Sequence, residues 1–391
     1  MKSKLQTFVV LMFFIQQGFS QDWPAFANRI VTQTAGIKAG DVVWISCGTT
    51  GLPLAEQIAA EVHRKGANPQ IAMTTDVEQK AMLYDKPEAN LADFPDYFIQ
   101  WQKQLDYMIT ITPQVENSKS LYGNVDPKRM ALLGSNVERL LSELAANTHY
   151  SDIAISLPSK EIPSITGIDL ATYEKMHWAA ASADYTKIAS SGKKIMNLLK
   201  GAKNVKLTTQ DGTNLSFSMG DRLVFADDGI LTEEERNSEV MYARYALLPG
   251  GFLDFAPLES SVNGTVVIEK ARCNYGPMKG VSFTVKNGVI SNFKAKEGGA
   301  CFEKEMEPHT GDKNTISTLN LGLNPEMKVI QTEKIDFHPL VAAGYMSLSI
   351  GGNNSQYNGK VVASGGHTFP LIKATLEIDG KVVVKDGKIM E

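Results

Sequence analysis

The chain has 391 residues, 39 Lys and Arg against 43 Asp and Glu, a formal charge of −4 and a hydrophobic fraction of 43%. That length suggests about two or three domains with room for a sizeable core. The balanced charge, with no basic block and no interleaving of aromatic and basic residues, argues against a nucleic-acid partner.

In chain order, Lys2 and Lys4 precede the apolar run Phe8 to Ile15, and Gly18-Phe19-Ser20 supplies small residues before Gln21. This is the pattern of a cleaved export signal over residues 1–20. The run is too short to span a bilayer and no later segment reaches the ~20 apolar residues a membrane helix needs. The expectation is therefore a protein without a membrane partner after cleavage, periplasmic or secreted.

From residue 35 to 160 strand and helix patterns alternate. Asp41 to Ser46 reads as a buried strand, and Leu54, Ile58 and Val62 recur at helical spacing between Pro53 at the helix start and Gly66 at its end. Pro69 to Met73, Asp106 to Thr112 and Ser151 to Ser156 read as further strands, and Leu132 to Leu144 carry an apolar stripe on a helix over 128–144. Alternation of this kind implies a layered α/β domain with a largely parallel sheet. The segment Gly48-Thr49-Thr50-Gly51 lacks both the dinucleotide fingerprint and the lysine of a phosphate loop, so it reads as an ordinary strand-to-helix turn.

A helical stretch over about 165–200, with Tyr173, Met176, Trp178, Ile188, Ile195 and Leu198, leads into a β-rich half. Val205 and Leu207 alternate with polar neighbours, and Asp211-Gly212, Asn287-Gly288, Asp379-Gly380 and Asp386-Gly387 mark turns, the third inside a hairpin of 374–378 and 381–384. The expected organisation is an N-terminal α/β domain over 22–190 and a C-terminal β-rich α/β domain over 191–391. Cys47 lies in an apolar strand. Cys273 and Cys301 bracket a hairpin, which leaves open either one disulfide or two buried thiols.

Residues 248–257 (Leu-Pro-Gly-Gly-Phe-Leu-Asp-Phe-Ala-Pro), 321–325 (Leu-Gly-Leu-Asn-Pro), 344–351 (Gly-Tyr-Met-Ser-Leu-Ser-Ile-Gly) and His367-Thr368-Phe369 together carry a resemblance. They resemble motifs of the metallo-aminopeptidase family of aminopeptidase T, aminopeptidase S and related leucyl aminopeptidases. With weaker similarity elsewhere the resemblance covers most of 35–391, and it implies an aminopeptidase T-like fold and a homodimer whose C-terminal halves enclose the site.

The family's two-metal centre needs converging carboxylates and imidazoles, so that two cations can share a water and stabilise both oxygens of the tetrahedral intermediate. At the positions the resemblance implies, this chain has Phe252 for the first Glu, Thr318 for the second Glu, Ser347 for the first His and Phe369 for the Asp. Only His367 keeps its ligand type. The family's Tyr after its first His falls on Asn354 without gaps, or on Tyr357 if the loop is three residues longer. Asp254, on the face of Phe252, could join Glu259, His338 and His367 in a single replacement site, and only such a site would take zinc, cobalt or manganese. Otherwise Phe252 and Phe369 either fill the former pocket or line an apolar site, with His367, Ser347, Thr318 and Tyr357 as its polar groups, for a small peptide or aromatic ligand. Three function classes follow: an active aminopeptidase, a non-catalytic binding relative, and an enzyme of altered chemistry with a single metal.

Overall fold

A computed structural model describes residues 22–91, 96–126, 128–130, 132–134 and 149–390. The export segment 1–20 and most of the helix expected over 128–144 lie outside the described residues.

The first four strands are β1 (Val42–Gly48), β2 (Asn68–Thr74), β3 (Tyr107–Thr112) and β4 (Ser151–Ser156). Val43, Ile45 and Cys47 alternate with half-buried neighbours along β1. They point into a core shared with Leu54, Ile58 and Val62 of the helix Leu52–Arg64. Gly48 closes β1 because an added Cβ would lie 2.4 Å from the Gln114 carbonyl oxygen, while the Thr49 hydroxyl donates to the Glu116 carboxylate at 2.5 Å. The turn after β1 is thus filled by the protein's own groups.

The helical stretch over 165–200 is divided into Leu170–Ala181 and Tyr185–Leu199. Asp169 and Asp184 accept from the backbone N–H groups of Thr172 and Lys187 at the two starts, which satisfies donors that a helix start leaves unpaired.

Thereafter come β5 (Val205–Thr208), β6 (Asn214–Phe217), β7 (Val224–Asp227), β8 (Tyr245–Leu248), β9 (Phe252–Phe255), β10 (Asn263–Cys273), β11 (Gly276–Lys286) and β12 (Val289–Lys294). The last are β13 (Ile316–Gly322), β14 (Ile330–Gln331), β15 (Asp336–Phe337), β16 (Met346–Asn353), β17 (Val362–Leu371), β18 (Thr375–Ile378), β19 (Lys381–Lys385) and β20 (Lys388–Ile389). Asn287-Gly288, Asp379-Gly380 and Asp386-Gly387 have positive φ at both residues, the conformation a tight hairpin needs and the reason Asn or Asp precedes Gly.

The strands form a five-stranded parallel sheet, β2-β1-β3-β4-β8, an eight-stranded sheet, β12-β11-β10-β6-β5-β18-β19-β20, and a five-stranded antiparallel sheet, β17-β16-β13-β9-β7. The architecture is mixed α/β, with a parallel sheet and a β-rich region. The boundary expected at 190/191 falls inside the helix Tyr185–Leu199, and β8 crosses back to pair with β4 in the parallel sheet. One continuous apolar cluster joins Ile45 and Ile109 of the first sheet to Leu215, Phe283 and Phe369 of the other two. Cys273 and Cys301 form a disulfide, with Cα atoms 6.1 Å apart, and Cys47 is a buried free thiol. No helix among the described residues is long and apolar enough to cross a membrane.

Candidate functional site

Every residue singled out by the motifs except Tyr357 and His338 is carried on or beside the antiparallel sheet of β17, β16, β13, β9 and β7. Across that sheet Asp254 stands opposite Asn320, Asn320 opposite Ser347 and Ser347 opposite Pro370. In the adjacent row Phe255, Leu319, Leu348 and Phe369 are neighbours, and His367 lies opposite Ile350. Side chains alternate between faces along a strand and paired residues share a face. Phe252, Asp254, Thr318 and Ser347 therefore project from one face, while His367 and Phe369 project from the other.

This corrects the expectation that His367 and Phe369 stand at the ligand positions beside Ser347. The residues of β17 on the face of Ser347 are Thr368 and Pro370. Moving the motif by one residue puts Thr368 and Pro370 on the family's His and Asp and Phe369 on its Trp, and a shift of one reverses every side chain. On this face Phe252, Thr318, Ser347, Thr368 and Pro370 present no imidazole or carboxylate, and Asp254 is the carboxylate beside them.

Phe252 is buried in an apolar cluster with Tyr173 and Ala180 of the helix Leu170–Ala181 and with Met327, Phe337 and Tyr345. Phe369 is fully buried against Phe283 of the eight-stranded sheet, ring centroids 5.0 Å apart, and Phe302, at 5.7 Å. The two aromatics fill separate cores on opposite faces of the sheet rather than lining one pocket. Ser347 is buried and Thr318 half-buried, and the side-chain oxygen of Asn320 between them is buried without a hydrogen-bond partner.

Asp254 is engaged by two phenols: Oδ2 accepts from the Tyr357 hydroxyl at 2.6 Å and from the Tyr242 hydroxyl at 3.1 Å. Burial pushes its pKa up to about 6 although both hydrogen bonds favour the charged form. Burial, followed by the neighbouring Asp254 charge, raises the pKa of Tyr357 and of Tyr242. Phe225 packs edge-on against Tyr242 and Tyr357 at 5.1 and 5.3 Å, and Tyr245 stacks on Tyr242. Nothing in the motifs pointed to Tyr242. One strand away, Asp227 is pushed up to about 8 by burial while its carboxylate accepts from the Leu247 and Gly229 N–H groups.

The other candidate ligands each belong to a different network. Glu259 pairs with Arg222 at 2.6 Å and accepts from Asn354 Nδ2 and the Lys360 N–H, both at 2.9 Å. Burial opposes its ionisation, but these partners outweigh that and hold its pKa below the usual value. Asn354, the ungapped match to the family's Tyr, is fully buried as a bridge between Glu259 and the Ser317 carbonyl. His338 lies 3.6 Å from Asp336 and 3.4 Å from the Tyr345 hydroxyl.

His367 Nδ1 faces Glu305 at 3.2 Å, and that carboxylate also accepts from the Asn274 N–H and side-chain amide. The acceptor opposite Nδ1 places the imidazole proton there, and Nε2 is buried with no partner. Burial lowers the His367 pKa against the pull of Glu305. The single replacement site imagined from Asp254, Glu259, His338 and His367 is thus four separate pairings. Among the described residues no group of three or more His, Cys, Asp or Glu could hold a metal ion, and the donor set on the Ser347 face does not fit a two-metal centre.

Among five of the surface cavities, of about 340 to 640 Å³, one is lined by His367 and none by the other six candidate site residues. A cavity of about 580 Å³ is walled by Met327 and Tyr345, which share the cluster of Phe252, and carries both signs of charge in Asp211, Glu269, Lys328 and Lys373.

The fold is similar to wild-type AmpT from Thermus thermophilus, with a TM-score of 0.69 and 12% identity over 94% of this chain and 99% of that one. It is also similar to 2,5-dihydroxypyridine dioxygenase from Pseudomonas putida KT2440, with a TM-score of 0.57 and 14% identity over 94% and 96%. None of the curated protein sequences matches this chain. Residues 19–314 match the Peptidase_M29 family, described as thermophilic metalloprotease (M29). That span includes Phe252 and Asp254 and ends before Thr318. The chain belongs to the M29 metalloprotease family, on an aminopeptidase T-like fold.

Proposed function

We propose that this protein is an exported, non-catalytic member of the M29 family that binds a small peptide or aromatic molecule. One observation carries the loss of two-metal hydrolysis: the sheet face holding Phe252, Thr318 and Ser347 continues into Thr368 and Pro370, so no ligating pair converges there. Apolar and hydroxyl side chains cannot supply the charge that two divalent cations require. The cavity beside Met327 and Tyr345 supports the binding part, since adjacent charges of both signs over an apolar wall suit the two termini of a short peptide.

Metal analysis and titration calorimetry on the purified mature protein test this reading. It expects no stoichiometric zinc, cobalt or manganese, no release of N-terminal residues from aminoacyl substrates, and binding of short peptides that is lost in Lys373→Glu. Two metal equivalents with turnover would reinstate an active aminopeptidase. One tightly held metal would favour altered chemistry. The export and homodimer readings rest on the N-terminal pattern and the family likeness. Sequencing of the mature N-terminus, expected at or near Gln21, and light scattering test them.

A further inference from the structure

We infer that the Cys273–Cys301 disulfide is a redox latch that holds the helix Gly299–Met306 down over β17, the terminal strand of the antiparallel sheet. The helix has eight residues and starts at Gly298 with no side-chain cap. So short a helix does not persist on its own. Its tertiary anchors include Phe302, stacked on Phe293 at 4.1 Å and edge-on to His367 at 5.4 Å. Glu305, bound to Asn274 and facing His367, is a second anchor, and the bond from Cys301 to Cys273 at the end of β10 is the third. Asn274 directly follows Cys273, so these last two anchors meet at one corner, where Lys304 also lies over the Tyr275 ring at 4.3 Å.

The corner is accessible. Cys301 is half-buried, and Cys273 lines a cavity of about 640 Å³ together with Arg272, Asn274, Glu305 and His367. The Tyr275 N–H points at Cys273 Sγ at 3.2 Å. A thiolate of a dithiol reductant attacks Cys301 Sγ, the S–S bond breaks, and its electron pair leaves on Cys273 Sγ, where the Tyr275 N–H stabilises the thiolate. The reductant's second thiol, deprotonated, then attacks the mixed disulfide and expels the Cys301 thiolate. The reductant is oxidised to its own disulfide, two electrons pass to the protein, and two protons end on the cysteines. Without the covalent tie the helix lifts, Glu305 leaves His367, and the face of β17 that carries His367 is uncovered.

The test is hydrogen exchange and alkylation of the whole mature protein in native buffer, with and without dithiothreitol. The latch expects both Cys273 and Cys301 to become alkylated while buried Cys47 stays protected. Exchange over Gly299–Met306 should rise roughly tenfold or more with the parallel sheet unchanged, and the Cys273→Ser/Cys301→Ser double variant should exchange like the reduced protein. Four results would overturn it. Alkylation only in denaturant, or free thiols with unchanged exchange at 299–306, would mean that the bond does not act as a latch. Faster exchange throughout the chain, or a double variant that does not fold, would make it a global staple.

Discussion

Tyr357 donates its hydroxyl to Asp254 Oδ2 at 2.6 Å across 103 residues of sequence. The family likeness suggested a role for Tyr357, and its place on the face of Phe252 made Asp254 a candidate replacement ligand, yet here each completes the other: the carboxylate gives the buried phenol an acceptor, and the phenol gives the buried carboxylate a donor. Tyr357→Phe should therefore lower stability by about 1 to 2 kcal/mol, and Tyr242→Phe, whose bond is 3.1 Å, by less. Urea unfolding of the two variants at one pH checks the order; a more damaging Tyr242→Phe would mean that the longer bond is the anchor.

The raised pKa of Asp254, about 6 in the fold against ~3.9 unfolded, fixes the sign of a pH effect. Below pH ~4 the group is protonated in both states and has no effect on stability. As pH rises from about 4 to 6 the unfolded chain releases the proton first, so stability falls. Above pH 6 both states are ionised and the slope vanishes. Asp152 is also raised to about 6, so the difference between wild type and Asp254→Asn isolates one group. Asp254→Asn should flatten that decline by on the order of 2 kcal/mol, measured by denaturant unfolding from pH 4 to 7. An equal slope in both proteins would contradict the burial assigned to Asp254.

Restoring metal ligands should work only on the correct face. A variant combining Phe252→Glu, Thr318→Glu, Ser347→His, Thr368→His and Pro370→Asp should gain affinity for zinc by calorimetry, because ligation needs converging donors. Replacing the last two changes by Phe369→Asp instead should not. That change alone should cost more than about 4 kcal/mol, since Phe369 is fully buried beside Phe283 and Phe302. A stable, zinc-binding protein carrying Phe369→Asp would show that β17 has the other register.

Glu259→Ala removes the buried acceptor of Arg222 Nη2, Asn354 Nδ2 and the Lys360 N–H at once, while Arg222 Nη1 keeps Asp221. Thermal and denaturant unfolding should show a loss of about 3 kcal/mol, the low end of the usual cost of breaking a buried ion pair, because Arg222 keeps its bond to the exposed Asp221. A loss below 1 kcal/mol would mean that water replaces the carboxylate there.

The sequence by itself determined the local elements and the scaffold. The alternation of Val43, Ile45 and Cys47 places β1, Pro53 and Gly66 bound its helix, and Asx-Gly pairs set the hairpins, because these depend on near-neighbour sterics and on a period of two or 3.6 residues. The motifs at 248–257 and 344–351 likewise carried the family. What only the tertiary structure decided is which side chains face each other. β8 returns to the parallel sheet from beyond residue 240, Cys273 meets Cys301, and Tyr242 joins Tyr357 on Asp254. His367 and Phe369 lie behind the sheet while Thr368 and Pro370 lie in front. A strand's two faces are equivalent to its own backbone, so pairing register, set by neighbours far away in sequence, chooses between them.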